Sequence, residues 1–305
     1  MVGLVAPGSP PRDPGAVSRA IAVLEKLGFN PRPARNARKR LGFLAGSDAE
    51  RASDLMEMFS DREVKAIFCL RGGYGAGRLL TRLDYALIRR QPKIFVGYSD
   101  ITALHCALLT QARLVCFHGP MMIDGLGGRR APAFAHQCLL RTIMEPSPAG
   151  SIRENYRGTS IRILKGGRAE GALIGGNLSL LCATLGTPFQ PDFRDAILFF
   201  EDVSEEPYRV DRMLTHLLNA GLLQRVAGVA AGIHAGCAKE PSGRRGEHRQ
   251  SMADVLEERL GLLKVPVVAG LPFGHVPLNA TLPVGLKATL DAERGDLIIN
   301  EPAVQ

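Results

Sequence analysis

"VKAIFCLRGGYGAGRLL", residues 64–80, decides how the first half of the chain folds. Val64 to Leu70 is a near-continuous apolar run that stops at Gly72 and Gly73. A run with no polar alternation is the pattern of a strand buried on both faces, as parallel sheets require. The "AGRLLTRLD" that follows reads as helical, so strand, glycine loop and helix succeed one another. The same alternation extends outward in both directions. Upstream, "VGLVAP" is a short strand entering a Gly/Pro loop, and "AVSRAIAVLEKLG" is a helix with its apolar face at Val17, Ile21, Val23, Leu24 and Leu27 and a stop at Gly28. "DAERASDLMEMFSD" repeats the helical period, with Asp48 placed as its cap. Downstream come the buried strand "KIFVGY", a helix from about Asp100 to Gln111, and the strand of "LVCFHGP". Buried strands alternating with amphipathic helices predict a doubly wound α/β domain with a parallel sheet, over residues 1–145.

Residues 146–168 are polar and rich in Pro, Gly and Ser, which predicts a linker, with an edge strand at Ser160–Leu164. A second domain is expected over 169–305. In it "GALIGGNLSLLCATLG" reads as a turn into a helix, and "DAILFFEDV" as a buried strand. Val210, Met213, Leu214, Leu217, Leu218 and Leu222 form the stripe of an amphipathic helix. "VAGVAAGIHAG" and "VPVVAGLPFGHV" are two further apolar strands, separated by the helix "MADVLEERLGLL".

The chain has 305 residues, 46% hydrophobic and 22% charged, with a formal charge of +8. That is the composition of an ordinary globular protein of one large or two medium domains. Arginines gather at Arg32–Arg40, Arg129–Arg130 and Arg244–Arg249, yet no aromatic residues interleave with them, so a solvated basic face is expected and no nucleic acid. The six cysteines lack metal-ligand or disulfide spacing, and most sit in apolar runs, which predicts free buried thiols and no metal. No apolar stretch approaches membrane-spanning length, and "MVGLVAPGSPPRDPG" lacks the basic n-region of a secretory leader, so a cytoplasmic location is expected.

"RGGYGAGRLL" sits where phosphate-binding loops occur but fails both common templates: Arg78 stands where GxGxxG needs its third glycine, and Arg78 and Leu79 replace the Lys-Ser/Thr of a P-loop. The loop either turns the chain or offers backbone N–H groups to an anion. A second corner, "VGYSDI", has Gly97 two residues before Ser99, as in a nucleophile elbow, but Ile101 replaces the second glycine. Locally a helix cap suits Ser99 better than a nucleophile does. A nucleophile would need a base and an orienting group. Of seven histidines, His234 and His275 each end an apolar strand in a small-residue loop and are best suited to a site; His105 lies in a helix and His118 ends a strand, while His136, His216 and His248 read as solvated. Glu201 and Asp202 stand at the mouth of a buried strand, where a carboxylate needs a donor: a histidine N–H, a turn, or Arg209 or Arg212.

Seven stretches, "RGGYGAGRLL", "GYSDITALH", "FHGPMM", "GGNLSLL", "LGTP", "LFFEDVSEEPYRVDRML" and "GLPFGHV", together with the opening "LVAPGSP", resemble the LD-carboxypeptidase family of serine peptidases, in the family's order. That family includes murein tetrapeptide carboxypeptidases and microcin self-immunity peptidases. The resemblance implies a Rossmann-like N-terminal domain, a smaller β-rich α/β C-terminal domain, and a Ser–His–Glu triad at the cleft between them. Ser99 is then the nucleophile, His275 the base and Glu201 the acid. The N–H of Asp100 is expected in the oxyanion hole, with Gly73 as second donor, and no cofactor is required. Arg71, Tyr74, Arg209 and Arg212 are candidates for holding a small peptide substrate, and a homodimer is the family's usual assembly. The alternatives are a relative acting on an aminoacyl-nucleotide antibiotic, for which the lack of any tryptophan removes one adenine-stacking residue, and a peptide-binding module without catalysis.

Overall fold

The computed structural model describes residues 1–127, 132–158, 160–237 and 250–304; Arg129–Arg130, Arg244–Arg249 and His248 lie outside the described residues. Five strands of the first half are β1 (Val2–Val5), β2 (Pro31–Pro33), β3 (Ala66–Cys69), β4 (Ile94–Gly97) and β5 (Cys116–His118). They pair in parallel in the order 2-1-3-4-5, the doubly wound arrangement. β1 and β3 are buried along their whole length, as the unbroken apolar runs require. Helices α1 (Ala16–Lys26), α2 (Asp48–Ser60), α3 (Tyr85–Arg90), α4 (Thr102–Ala107) and α5 (Ala133–Met144) belong to this half. Ser47, not Asp48, caps α2: its hydroxyl accepts from the Glu50 N–H while the Glu50 carboxylate accepts from the Ser47 N–H. The basic side chains of Arg32–Arg40 are mostly exposed, as a solvated face requires, with surface ion pairs from Arg32 to Asp61 at 2.7 Å and from Lys39 to Glu50 at 2.5 Å.

The second half adds β6 (Gly150–Ser151), β7 (Arg162–Lys165), β8 (Arg168–Asn177), β9 (Ile197–Glu201), β10 (Gly228–Ile233), β11 (Val267–Gly274), β12 (Leu282–Val284), β13 (Lys287–Asp291) and β14 (Asp296–Ile299). Eight of these form one sheet in the order 6-14-13-8-9-10-11-7, parallel from β8 to β11 and antiparallel outside that block. Helices α6 (Leu178–Thr184), α7 (Pro207–Asn219) and α8 (Met252–Gly261) complete it. On α7 the expected stripe is buried at Val210, Leu214 and Leu217, each contributing about 1.5–3 kcal/mol of apolar burial.

Within 146–168 the expected edge strand is present as β7, and β6 adds a second short strand at the opposite edge of the same sheet. One expectation is corrected here. "GALIGGN" is not a turn but the end of β8, whose last residue, Asn177, caps α6 by accepting from the Leu180 N–H at 3.2 Å. The halves are stitched together by β12, a strand from the second half that joins the first sheet by pairing antiparallel with β5, Leu282 opposite His118. A second tie runs from the Asn177 N–H to Thr102 Oγ1 at 2.9 Å, both residues buried.

Candidate active site

The loops after β1, β3 and β4 meet at the carboxyl ends of the strands, where a 2-1-3-4-5 sheet opens its crevice beside the reversal of strand order. Ser99 follows β4 at a corner with φ +63°, a left-handed conformation uncommon and strained for a residue with a side chain. A single turn of 3₁₀ helix, Ser99–Ile101, leads from it into α4. The cap expected of Ser99 is absent: its hydroxyl makes no capping bond and lies 2.9 Å from Nε2 of His275. The other ring nitrogen, Nδ1, is 2.6 Å from Oε2 of Glu201. Ser99, His275 and Glu201 thus form one continuous hydrogen-bonded chain across two sheets.

Burial grades along this chain. The Glu201 side chain is fully buried at the end of β9, His275 is 18% exposed, and Ser99 is half-buried at the cleft. A buried carboxylate needs a partner, and the imidazole N–H supplies it. Gly274 makes room: it has φ +113°, and a Cβ there would stand 3.0 Å from both Cβ and Oε2 of Glu201. The neighbouring acid does a different job. Asp202 accepts from Asn177 Nδ2 at 2.9 Å and from the Ser179 N–H at 3.0 Å, fixing the start of α6. His234, the other histidine at a strand end, contacts the Gly232 carbonyl at 3.2 Å and the edge of Phe200, and does not reach Ser99.

The glycine loop packs directly against the serine corner. A Cβ on Gly72 would lie 3.2 Å from Ser99 Cβ and 3.3 Å from the Asp100 nitrogen. The intimate neighbour of Ser99 is therefore Gly72, whereas Gly73, the residue expected to donate, turns with φ +85° against the Ser9 side chain. The Ser9 hydroxyl accepts from the Tyr74 N–H at 3.1 Å and its own N–H donates to the Gly72 carbonyl at 2.8 Å. The Asp100 carboxylate reaches back under the loop and accepts from the Ala76 N–H at 2.9 Å. Burial holds that carboxyl above its usual range, against the pull of the Ala76 and Gly75 amides and the Arg51 guanidinium. Arg51 is buried too, and its Nη1 donates to the carbonyls of Pro7 and Gly75. Sequence reading missed the roles of Ser9 and Arg51: Ser9 lies in the quoted "LVAPGSP" but nothing local shows what it holds, and Arg51 lies in no motif.

The substrate candidates are scattered. Arg71 donates to the Pro10 carbonyl at 3.1 Å, in the loop beside Ser9. Tyr74 is 56% exposed next to the glycine loop, edge-on to the exposed Phe43 with centroids 5.5 Å apart. Arg209 lies on α7 beside Tyr208 and pairs with Glu205 just before the helix at 3.5 Å, and Arg212 is exposed one turn further along. Among the described residues no cluster of His, Cys, Asp and Glu has metal-binding geometry, and all six cysteines are free.

The model of the LD-carboxypeptidase N-terminal domain matches residues 2–119, and that of the C-terminal domain matches residues 170–290. The chain belongs to the LD-carboxypeptidase family. Its members are serine-type peptidases, and the two matched regions contain Ser99 on one side and Glu201 and His275 on the other. Within the family, the chain is 39% identical to a probable murein peptide carboxypeptidase of Bacillus subtilis (strain 168), over 98% of its own length and 91% of that protein. The solved muramoyltetrapeptide carboxypeptidase from Oxalobacter formigenes has a TM-score of 0.85 and 34% identity, covering 99% of both chains. The microcin C7 self-immunity protein MccF, in an inactive-mutant apo state, has a TM-score of 0.86 at 26% identity, covering 100% of this chain and 96% of that one.

Proposed function

We propose that this LD-carboxypeptidase family member is a serine carboxypeptidase that hydrolyses an L,D-peptide bond and releases terminal D-alanine from murein tetrapeptide. The observation that carries the reading is the unbroken chain Glu201–His275–Ser99, with contacts of 2.6 and 2.9 Å, in the cleft between the two sheets. His275 takes the hydroxyl proton as Ser99 Oγ attacks the scissile carbonyl, then returns it to the leaving amine. Glu201 fixes the proton-bearing nitrogen as Nδ1 and stabilises the imidazolium. The Asp100 amide stands at the start of a helical turn, where N–H groups lack intrahelical acceptors, and serves the developing oxyanion. The backbone of the 72–73 loop, pressed against Ser99, supplies the second donor. Removing one such donor typically costs about 3 kcal/mol of transition-state stabilisation.

The names of the Bacillus and Oxalobacter relatives support a murein peptide as substrate. The matching MccF fold supports a second reading, hydrolysis of an aminoacyl-nucleotide amide. Incubation of the purified protein with murein tetrapeptide separates them: the proposal expects D-alanine and tripeptide from wild type and none from Ser99→Ala. Turnover of an aminoacyl sulfamoyl adenosine with no D-alanine release supports the second reading instead. A homodimer and a cytoplasmic location follow from the same family reading, and sedimentation of the purified chain tests the dimer. Among the described residues, no helix is long and apolar enough to cross a membrane.

A further inference from the structure

Directly behind the Ser99–His275–Glu201 chain lies a fully buried histidine that the reaction above does not use. His118, the last residue of β5, is 0% exposed, and among the described residues neither of its ring nitrogens has a hydrogen-bond partner. Burying two polar atoms without partners is unfavourable, so something else must favour an imidazole there. Three aromatic rings stand around it. Tyr98 lies at 5.8 Å between centroids and 69°, Phe199 at 5.2 Å and 79°, and Phe273 at 6.4 Å and 85°, each in an edge-to-face arrangement.

Those three rings come from the three segments that deliver the reacting groups. Tyr98 immediately precedes Ser99. Phe199 is two residues before Glu201, on the same face of β9, and Phe273 is two residues before His275. Phe199 and Phe273 also meet each other at 5.8 Å and 87°, and Tyr98 backs the His275 ring itself at 4.8 Å. The backbone of His118 repeats the connection, pairing with Gly97 of β4 on one side and Leu282 of β12 on the other. One residue is thus the common neighbour of elements that arrive from two different sheets.

We infer that His118 is a positioning residue: its ring sets the relative placement of the three segments and, through Tyr98, the angle at which His275 Nε2 meets Ser99 Oγ. The ring is compact, flat and edge-polar, so it fits between three aromatic faces where a larger side chain would separate the sheets. Burial holds its pKa well below the ordinary imidazole value, with the nearby His105 and His275 pushing the same way. It therefore stays neutral when His275 becomes cationic during turnover.

This inference rests on the Ser–His–Glu reading above, and its test uses a fluorophosphonate that labels an activated serine whatever the natural substrate. The rate of labelling is measured against pH, beside the thermal unfolding midpoint, on the full chain. His118→Ala and the milder Phe199→Leu are each expected to label about 10- to 100-fold more slowly than wild type, with a displaced pH profile. Phe59→Leu is the control. It removes a ring 1% exposed from the core of the first half, stacked on Phe95 at the entry to β4, away from the serine corner. It is expected to lower the unfolding midpoint and to label at the wild-type rate. If His118→Ala does not fold, Phe199→Leu carries the test alone. Folded site variants that label at the wild-type rate with the wild-type pH profile overturn the inference. Wild type that does not label overturns the triad reading, and the inference with it.

Discussion

Ser99 and Glu201 both stand at the carboxyl end of a buried strand, yet the chain holds them by different means. Glu201 is the last residue of β9, in regular parallel register with Asn177 of β8, and its position follows from the ladder. Ser99 lies two residues beyond β4, at φ +63°, and no ladder bond fixes it. The glycine loop, the Ser9 hydroxyl and the buried Asp100 carboxylate hold that corner from outside. On the proposed mechanism an orienting acid can sit on regular structure, because it only has to be buried and aimed. A nucleophile must project toward a substrate while the next amide stays available, and a strained corner suits both needs.

The largest effects test the corner itself. Ser99→Ala is expected to lower the rate of D-alanine release by about a million-fold. Ser99→Gly should be as inactive but more stable than Ser99→Ala by about 1 kcal/mol in urea unfolding, because glycine adopts positive φ without strain. Equal stability of the two would remove strain from the comparison. Next, Glu201→Gln is expected to cost about 10⁴-fold in kcat with little change in KM, since it disturbs the His275 tautomer and leaves the ladder intact. Gly72→Ala should cost about 10- to 100-fold in kcat, because the new methyl would stand 3.2 Å from Ser99 Cβ and 3.3 Å from the Asp100 nitrogen, where a displaced corner misaligns the attack. A wild-type rate there would mean that the glycine loop does not support the serine.

The smallest effect distinguishes the halves by proton linkage. Among the described residues, the serine-bearing half holds both histidines that are fully buried, His105 and His118, and burial pushes the His105 pKa down to about 3. The unfolded chain binds a proton at this residue below about pH 6.5, while the folded chain stays neutral there. Its contribution is therefore complete above that pH and is lost as pH falls towards 3. His105→Leu is expected to reduce the pH dependence of the unfolding free energy by about 1.4 kcal/mol per pH unit between pH 6 and 4. Urea titrations of the two proteins at several pH values provide the check.

The first sheet was legible because Val64 to Leu70 and its counterparts are continuous apolar runs, a local property. β8 was hidden by its glycines. A Cβ at Gly175 would lie 1.8 Å from the Phe199 carbonyl, so the glycine there answers the approach of β9, which no window of sequence displays. β7 overlaps the edge strand expected at Ser160–Leu164, whereas β6, only Gly150–Ser151, is a strand only because a sheet edge is there to receive it. For the site, Glu201 announced itself as a charge at the mouth of a buried strand. His234 and His275 looked alike, and only the fold sends one to a backbone carbonyl and the other to Ser99. The arginines were least legible, since a long side chain finds its partner far along the chain, as Arg71 does at Pro10.

The pairing of β12 with β5 gives the molecule a birth order. The first matched region ends at residue 119, with β5 as an open edge, and its missing neighbour is Leu282–Val284, close to the end of the chain. A nascent chain leaving the ribosome therefore carries Ser99 long before it carries His275 or the strand that closes the sheet. On the proposed mechanism the base and the closing strand arrive in the same later stretch, so an incompletely made protein would hold Ser99 without its base. Fragments divided between the two halves should likewise be inert apart and regain hydrolysis only when mixed, the second supplying the first with its last strand.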